Sequence, residues 1–419
     1  MGDDILQSLH RHPFSRRTLM GTIKIGLVGC GGRGGGAVAN ALANAATRDV
    51  KLIAVADALK PRVDSLSQLL VQNYPEQVDL PEERRFAGLD CCEQILKTDC
   101  DVILLCEPPG FRPRHFKAVV DSGKHVFAEK PVAVDAPGVR IFTESNAKAK
   151  QNKQVVVVGH HLRFERKHIE PIQMLHDGAI GDLLYIRIFF NDGGIWTRQR
   201  QEGMTEMQFQ VNNWYHFNWL SGDHIVEQHV HDIDVMNWFT GDQHPVEANG
   251  MGGRIVRDRK TSEIFDYHSI EYRFDNGVRG YSYCRHIPNC WNSFSEHAYG
   301  TKGHVSIDGH GTARLFVQGE EPRVWRRDTS GHQVEMDVLF DAIANGKEFN
   351  NGDIGASATM TAVLGRMATY SGKVVKWDDA INSQLDTFPK NLAWDADPGP
   401  KPDEFGNYPC AVPGVTVAW

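Results

Sequence analysis

The sequence predicts an α/β protein in which a doubly wound parallel sheet is followed by an α/β domain with an open, mostly antiparallel sheet. Up to about residue 158, runs of Val, Ile and Leu alternate with helical spacing, which is typical of parallel strands covered on both faces. From about residue 182, longer strands alternate apolar and polar residues, and Asn276-Gly277 marks a hairpin. The third observation is a glycine-rich segment that follows the first apolar run.

That segment, Gly29-Cys30-Gly31-Gly32-Arg33-Gly34, has the G-x-G-x-x-G spacing of a Rossmann dinucleotide-binding turn. Gly29 permits the tight turn, Gly31 lets the backbone approach a pyrophosphate, and Gly34 lets the helix pack against the sheet. The helix N-terminus offers N–H groups and partial positive charge to phosphates, so Gly32 and Arg33 count among the cofactor-binding residues. Because the chain has 40 glycines, the motif gains its weight from the strand before it and the helix after it.

The first, NAD-binding domain is predicted over residues 22–158. Its second strand ends in Asp57, 23 residues after Gly34, where a carboxylate would accept hydrogen bonds from the adenosine ribose. A carboxylate repels a 2′-phosphate, so NAD is the expected cofactor and NADP the lesser alternative, although Lys60 and Arg62 weaken that preference. The predicted strands are 23–28, 52–56, 102–106, 125–128 and 155–159, and the predicted helices include 36–46 and 112–122.

Two further segments lie at the carboxyl edge of this sheet, where doubly wound folds bind ligands. Cys106 and Pro108 stand at the end of one strand, and Glu129-Lys130-Pro131 follows the next. We count Cys106, Pro108, Glu129 and Lys130 as cofactor-binding residues. A lysine held by a following proline can also project its ammonium towards a substrate hydroxyl or carbonyl and polarise it. A solvated loop lysine is the alternative interpretation.

The second domain, predicted over residues 159–385, contains a histidine-rich segment at 223–239. Glu227 and His231 are four residues apart and would share one face of a helix. A carboxylate–imidazole pair raises the basicity of the ring, which suits a general base near neutral pH.

Two other interpretations of this segment stay open. His231 can be a buried structural histidine. The segment can also bind a metal, with ligands drawn from Glu227, His229, His231 and either His160 or His161. Because residues i and i+2 point to different sides of a regular helix, we predict no metal. The other predicted elements are strands at 183–190, 268–274, 277–284 and 304–308, helices at 336–345 and 356–371, and an extended tail at 386–419 that lies over the surface or a neighbouring subunit.

Composition limits the partners and the compartment. The net charge of -8 argues against nucleic acid and anionic membranes, and no apolar stretch reaches the roughly 18 residues of a membrane span. The 8 cysteines show no C-x-x-C pair, so a reducing, cytoplasmic location is expected. Residues 1–21 are predicted to be a disordered leader. Its Ser15-Arg16-Arg17-Thr18 leaves twin-arginine export as an alternative, although an apolar stretch of signal-peptide length is missing.

Taken together, these motifs resemble the glucose-fructose oxidoreductase / inositol dehydrogenase / MocA (Gfo/Idh/MocA) family. The resemblance rests on the glycine fingerprint, Asp57, the Glu129-Lys130-Pro131 triplet and the string His231-Asp232-Ile233-Asp234. Residues 158–164 and 362–368 match as well, so the ordered set covers roughly residues 23–380.

The resemblance implies a Rossmann domain and an α/β domain whose open sheet often forms an oligomer interface, so a homo-oligomer is expected. It implies NAD or NADP and a sugar, cyclitol or related polyol as substrate. It places Lys130 beside the nicotinamide ribose and the reacting hydroxyl, and it makes His231 the proton acceptor. Glu227 replaces the aspartate that is usual in the family, which leaves the polyol specificity open. The candidate polyol contacts are His161, Arg163, Tyr215, His216, Tyr283 and Arg285.

Three functions are therefore compatible with the sequence. The first is an oxidoreductase that transfers a hydride between a polyol hydroxyl and NAD, with His231 as general base, Glu227 beside it and Lys130 as electrostatic catalyst. The second is a glycoside-cleaving enzyme that transiently oxidises a sugar hydroxyl, eliminates the aglycone and returns the hydride. The third is a non-catalytic NAD-binding sensor or scaffold.

Overall fold

A computed structural model describes residues 21–47, 49–309, 311–326 and 330–419. The predicted leader at 1–21 and its twin-arginine motif lie outside these residues, except for Gly21. The chain divides into two compact units. Unit 1 contains the described residues up to Val132, then Ile141–Phe164 and residues 330–353. Unit 2 contains Ala133–Arg140, residues 165–326 and Ile354–Trp419.

Up to residue 158 the described chain alternates strands and helices. In chain order these are β1 (Ile23–Val28), α1 (Gly32–Leu42), β2 (Val50–Asp57), α2 (Lys60–Asn73), β3 (Arg85–Ala87), α3 (Cys91–Ile95), β4 (Val102–Leu105), α4 (Arg112–Asp121), β5 (His125–Ala128), α5 (Ala136–Gln151) and β6 (Val156–Val158).

The six strands of unit 1 form one sheet in the order β3-β2-β1-β4-β5-β6, and every neighbouring pair is parallel. The predicted doubly wound parallel sheet is therefore confirmed. The strand order reverses between β1 and β4, so the carboxyl ends of these two strands flank the crevice where such sheets bind ligands.

The elements that follow are, in chain order, α6 (Arg166–His176), β7 (Leu183–Asp192), α7 (Glu206–Asn212), α8 (Asn218–Ser221), α9 (His224–Glu227), α10 (Val230–Phe239), β8 (Glu247–Gly253), β9 (Tyr267–Arg273), β10 (Arg279–His286), β11 (Ser293–Gly300), β12 (Gly303–Asp308), β13 (Thr312–Val317), β14 (Arg323–Arg326), α11 (Gly331–Asn345), α12 (Gly352–Ser371), β15 (Val375–Lys376) and α13 (Trp377–Ile381).

Unit 2 is built on a nine-stranded sheet in the order β14-β13-β12-β11-β7-β10-β9-β8-β15. Its neighbouring strands are antiparallel, except for the parallel pair of β7 and β10. The predicted mostly antiparallel sheet is therefore confirmed, and β9 and β10 form the predicted hairpin at Asn276-Gly277. Helices α6 and α10 pack against β7, β11, β12 and β13.

Helix α11 joins unit 1, whereas the sequence interpretation placed all of residues 159–385 in the second domain. The physical reason is its apolar face. Met336, Leu339, Phe340 and Ile343 are buried in the same core as the strands of unit 1. A domain boundary placed at one position in the sequence cannot show that a later segment packs back into the first unit.

The histidine-rich segment was predicted as one regular helix, but the structure divides it into α9 and α10. His229 stands at the break and is fully buried. Its Nδ1 lies 3.1 Å from an Asp232 oxygen, and its Nε2 lies 2.7 Å from the Ser282 hydroxyl. The buried ring of His229 therefore contacts residues on both α10 and β10.

Residues 386–419 contain neither helix nor strand. The tail packs on its own unit: the Tyr408 ring stands edge-on to Phe217 with 4.9 Å between ring centroids, and its hydroxyl bonds Glu206. Thr387 donates to Asp135 from its backbone N–H and from its hydroxyl. Among the described residues, no helix combines the length and apolar character needed to cross a membrane.

Replacing Tyr408 by Ala should lower the free energy of unfolding by about 3 kcal/mol, because a buried ring leaves a cavity in unit 2. The exposed fraction of Tyr408 is 2%, whereas that of Phe405 in the same tail is 72%. Phe405→Ala is the matched control and should change stability by less than about 0.5 kcal/mol. Urea denaturation measures both. Equal effects of the two substitutions would show that the tail does not stabilise unit 2.

Candidate active site

The turn after β1 requires glycine at two positions. Gly29 has φ +98°, and a Cβ at this residue would lie 2.4 Å from the backbone nitrogen of Glu107. A Cβ on Gly34 would lie 1.9 Å from the carbonyl oxygen of Gly29. Helix α1 can therefore approach the end of β1 only because these two side chains are missing. It begins at Gly32, four residues earlier than predicted, because this close packing outweighs the low helix propensity of glycine.

Gly31 and Gly32 face open space, since no heavy atom lies within 4 Å of where their Cβ atoms would be. Gly31 is the N-cap of α1, no side chain caps this terminus, and the first turn carries no acidic residue. The first N–H groups of a helix lack partners within it and attract anions. This arrangement fits a dinucleotide pyrophosphate, and the cofactor-binding role of Gly29, Gly31, Gly32 and Gly34 stays a prediction.

Asp57 ends β2 and ties the glycine turn to that strand. One carboxylate oxygen accepts the Cys30 N–H at 2.8 Å, and the other accepts the Leu59 N–H at 2.8 Å. Burial raises the pKa of Asp57, while these hydrogen bonds and the charge of Arg62 act in the opposite direction. Each carboxylate oxygen has a second lone pair. A ribose contact therefore stays a prediction that this geometry allows.

The ends of β4 and β5 bring the other predicted cofactor residues to the same edge of the sheet. Cys106 donates its N–H to the Val28 carbonyl at 2.7 Å, and Pro108 follows two residues later. Burial raises the pKa of the Cys106 thiol. Glu129 is buried, and the half-buried Lys130 follows it, joined to Pro131 by a cis peptide bond.

Arg33 projects from the first turn of α1 into an acidic pair. Its guanidinium bonds Glu129, and its Nη2 lies 2.9 Å from an oxygen of Glu335 on α11. Near this pair, the ring of His332 stacks on that of His161 with 4.0 Å between centroids. His161, a predicted polyol contact, thus lies in unit 1 close to the Arg33 network. Sequence reasoning missed Glu335 and His332, because nothing local relates them to a segment about 300 residues earlier.

In unit 2 the structure brings Tyr215, His286 and Glu227 together. The Tyr215 and His286 rings stack with 6.0 Å between centroids, and burial followed by the nearby Glu227 carboxylate raises the pKa of Tyr215 well above its ordinary value. His286 lies 2.6 Å from the side-chain oxygen of Gln228. Glu227 ends α9, whereas the half-buried His231 belongs to α10. The prediction that both residues lie on one regular helix was therefore wrong.

His216 and Arg163 are both buried in the structure. His216 Nε2 lies 2.9 Å from the Trp196 carbonyl oxygen, and burial lowers the pKa of His216 to about 4. Arg163 belongs to the short 3-10 turn His161–Phe164 in unit 1. His216 is thus neutral near physiological pH and is suited to hydrogen bonding, not to charge pairing.

Tyr283 and Arg285 do not accompany Tyr215. Alternate residues of a strand point to opposite faces, and Ser282 and His286 on β10 face His229 and Tyr215. Tyr283 instead stacks on Phe189 across the other face, and Arg285 donates to the Trp291 carbonyl at 2.6 Å. The two residues therefore lie on the other face of β10 from Tyr215, whereas the sequence analysis treated these polar residues as one surface. Their contact with the polyol stays a prediction.

Among the described residues, Asp223, His224 and His268 have the spacing of metal ligands. None of these three was among the candidate metal ligands named from the sequence. The candidate ligand atoms of Asp223, His224 and His268 lie within 4.8 Å of one another. The Asp223 carboxylate accepts hydrogen bonds from the backbone N–H groups of His224 and Phe265 and from the Tyr370 hydroxyl. It also lies 2.7 Å from Nδ1 of the His224 ring. Burial alone would raise the pKa of Asp223, but the two histidines hold it well below its ordinary value. Hydrogen bonding within the protein thus accounts for this cluster.

Comparisons with known proteins agree with this geometry. A family model described as "Oxidoreductase family, NAD-binding Rossmann fold" (GFO_IDH_MocA) matches residues 23–160, and a second, the GFO/IDH/MocA C-terminal domain, matches residues 171–306. An inositol 2-dehydrogenase of Rhizobium meliloti is 24% identical over 59% of this chain and 64% of its own length. The chain thus spans less than two thirds of that relative.

Two other known proteins resemble this chain, one over part of its sequence and one in its fold. A glycosyl hydrolase family 109 protein of Streptomyces coelicolor is 24% identical over 39% of this chain and 32% of its own length. The crystal structure of an aldose-aldose oxidoreductase from Caulobacter crescentus, complexed with glycerol, has a TM-score of 0.67 at 19% identity, covering 85% of this chain and 99% of that one. The structural similarity supports the fold.

Replacing Gly31 by Ala should leave the fold intact but lower NADH affinity at least about tenfold, because the added methyl group enters the space predicted for the pyrophosphate. Gly36→Ala is the control: its Cβ would meet only an Arg33 nitrogen at an ordinary 3.6 Å. Titration of NADH fluorescence measures both affinities, and thermal unfolding verifies the fold. Wild-type affinity in Gly31→Ala would contradict the assignment of this turn to the cofactor.

Proposed function

The chain belongs to the Gfo/Idh/MocA oxidoreductase family, and from that premise we propose that it transfers a hydride between NAD and a hydroxyl of a sugar, cyclitol or related polyol. The observation that carries the proposal is the open N-terminus of α1 at Gly31 and Gly32, at the same sheet edge as Asp57 and Lys130. When bound, the nicotinamide supplies the acceptor or donor of the hydride. Asp57 favours NAD, since its charge opposes a 2′-phosphate.

Lys130 and His231 take the two charge-handling roles in this proposal. The Lys130 ammonium stabilises the alkoxide that develops on the substrate. The backbone N–H of Lys130 donates to the buried Glu129 carboxylate at 3.2 Å, which restrains the backbone at this position. His231 accepts the hydroxyl proton as general base in this proposal, and Glu227, four residues earlier in the chain, is proposed to support it. Tyr215, His216, His161 and Arg163 are proposed to contact the polyol. A homo-oligomer is proposed as well, and light scattering tests it.

Lys130→Met and His231→Asn should each lower turnover by about 10²- to 10⁴-fold, the range typical for loss of one acid–base or electrostatic group. A screen of sugars and cyclitols for nicotinamide absorbance change supplies the substrate. His244→Asn, an exposed histidine of unit 2 stacked on Trp377, is the control and should retain wild-type turnover. Undiminished turnover in Lys130→Met or His231→Asn would refute the assigned role.

The second candidate is cleavage of a glycoside with NAD regenerated in each turnover. The buried Tyr215 beside Glu227 favours it, because elimination needs acid–base groups in addition to His231. The similarity to a glycosyl hydrolase family 109 protein gives further support. Release of nitrophenol from nitrophenyl glycosides without NADH accumulation would establish this activity. Absence of cleavage across a broad panel would exclude it. Tight NADH binding with no hydride exchange for any polyol would instead favour the sensor function.

A further inference from the structure

We propose that Arg33 is a positioning residue and not a phosphate ligand, and that Glu335 is its second anchor. Together they hold Glu129, and with it the backbone that carries Lys130. The inference rests on the proposed function for the role of Lys130 and of the cofactor. All four residues belong to unit 1.

The Glu129 carboxylate is enclosed on three sides. One oxygen bonds the Arg33 guanidinium, and the other lies 3.2 Å from the backbone N–H of Lys130. A Cβ on Gly159 would lie 3.1 Å from both oxygens, so the carboxylate rests against the backbone that follows β6. Burial acts to raise the pKa of Glu129, but the charges of Arg33 and Lys130 lower it below its ordinary value. An ionised carboxylate at this depth requires the guanidinium beside it.

Glu335 provides the second support from α11. Its side chain is fully buried, one oxygen lies 2.9 Å from Arg33 Nη2, and the same oxygen lies 3.3 Å from His332 Nδ1. Burial raises the pKa of Glu335 to about 7. Arg33 therefore connects the first turn of α1 to β5 on one side and to α11 on the other. The titratable and charged groups around Glu335 are Arg33, Glu129 and His332, with His161 stacked on His332.

The direction of the guanidinium separates this role from phosphate binding. Its Nε and Nη2 both point to carboxylates, and the planar fork of arginine fixes that geometry. Two acidic partners offset its positive charge, whereas the backbone N–H groups at Gly31 and Gly32 face open space. A lysine at position 33 would keep the charge but could not hold both carboxylates in the same way.

The chain offers a matched control for the link between α1 and α11. Gln333 stands two residues before Glu335 and accepts a hydrogen bond from Asn40 on α1 at 3.0 Å. Gln333→Ala therefore weakens the contact between the same two helices without touching Glu129. Glu335→Gln keeps the shape of the side chain but removes its charge.

The experiment measures NADH dissociation constants by fluorescence and melting temperatures for five proteins: wild type, Arg33→Lys, Arg33→Met/Glu129→Gln, Glu335→Gln and Gln333→Ala. The double substitution removes Arg33 and Glu129 together, and Glu335 keeps its contact with His332 at 3.3 Å, so the variant should melt within a few degrees of wild type. We expect NADH affinity to fall at least about fivefold in Arg33→Lys and in the double variant. The salt dependence of binding should stay at its wild-type slope, because no phosphate contact is lost.

The pH profile tests Glu335 separately. Above pH 7 the ionised Glu335 pairs with Arg33, so wild-type NADH affinity should increase between pH 6 and 8, and Glu335→Gln should lack this change. Gln333→Ala should keep the wild-type profile even where its melting temperature falls. Wild-type affinity in Arg33→Lys and in the double variant, or a reduced salt slope, would overturn the positioning role. No NADH binding by the wild-type chain would instead overturn the proposed function.

Discussion

The approach of α1 to the end of β1 is the constraint on which unit 1 depends. Gly34 lies so close to Gly29 that any side chain at either residue would collide with backbone. Because the helix starts this near the sheet, its first N–H groups lie beside the carboxyl ends of the strands. For the same reason the Arg33 guanidinium can reach the buried Glu129 carboxylate. The open helix N-terminus and the ion pair of Arg33 with Glu129 are thus two outcomes of one steric condition.

The sequence was most informative where burial is continuous. Residues 23–28 and 125–128 were predicted with the bounds that the structure gives, because a strand covered on both faces leaves a mostly apolar run. The start of α1 was placed too late, since glycine disfavours helices unless packing demands it. The segment at 223–239 was taken as one helix because its apolar spacing continues across the break between Glu227 and Val230.

The same limit applies to the candidate site. The residues of unit 1 up to Lys130 could be proposed because each follows a predicted strand, and parallel strands end at one edge. Glu335 was not accessible to this reasoning, since only the tertiary fold brings α11 to Arg33. Tyr283 and Arg285 were assigned without regard to the two faces of their strand. Reading β10 with its alternation would have separated them from Ser282 and His286.

The return of α11 to unit 1 has a consequence for the ancestry of this protein. The cofactor-binding unit is written in the gene as separate stretches, and its core is completed only by residues near position 340. Recombination that exchanged only the segment up to residue 132 would separate that segment from the α11 residues that complete its core. It would also separate Arg33 from Glu335. An exchange that preserves this unit would therefore have to carry the early segments and α11 together.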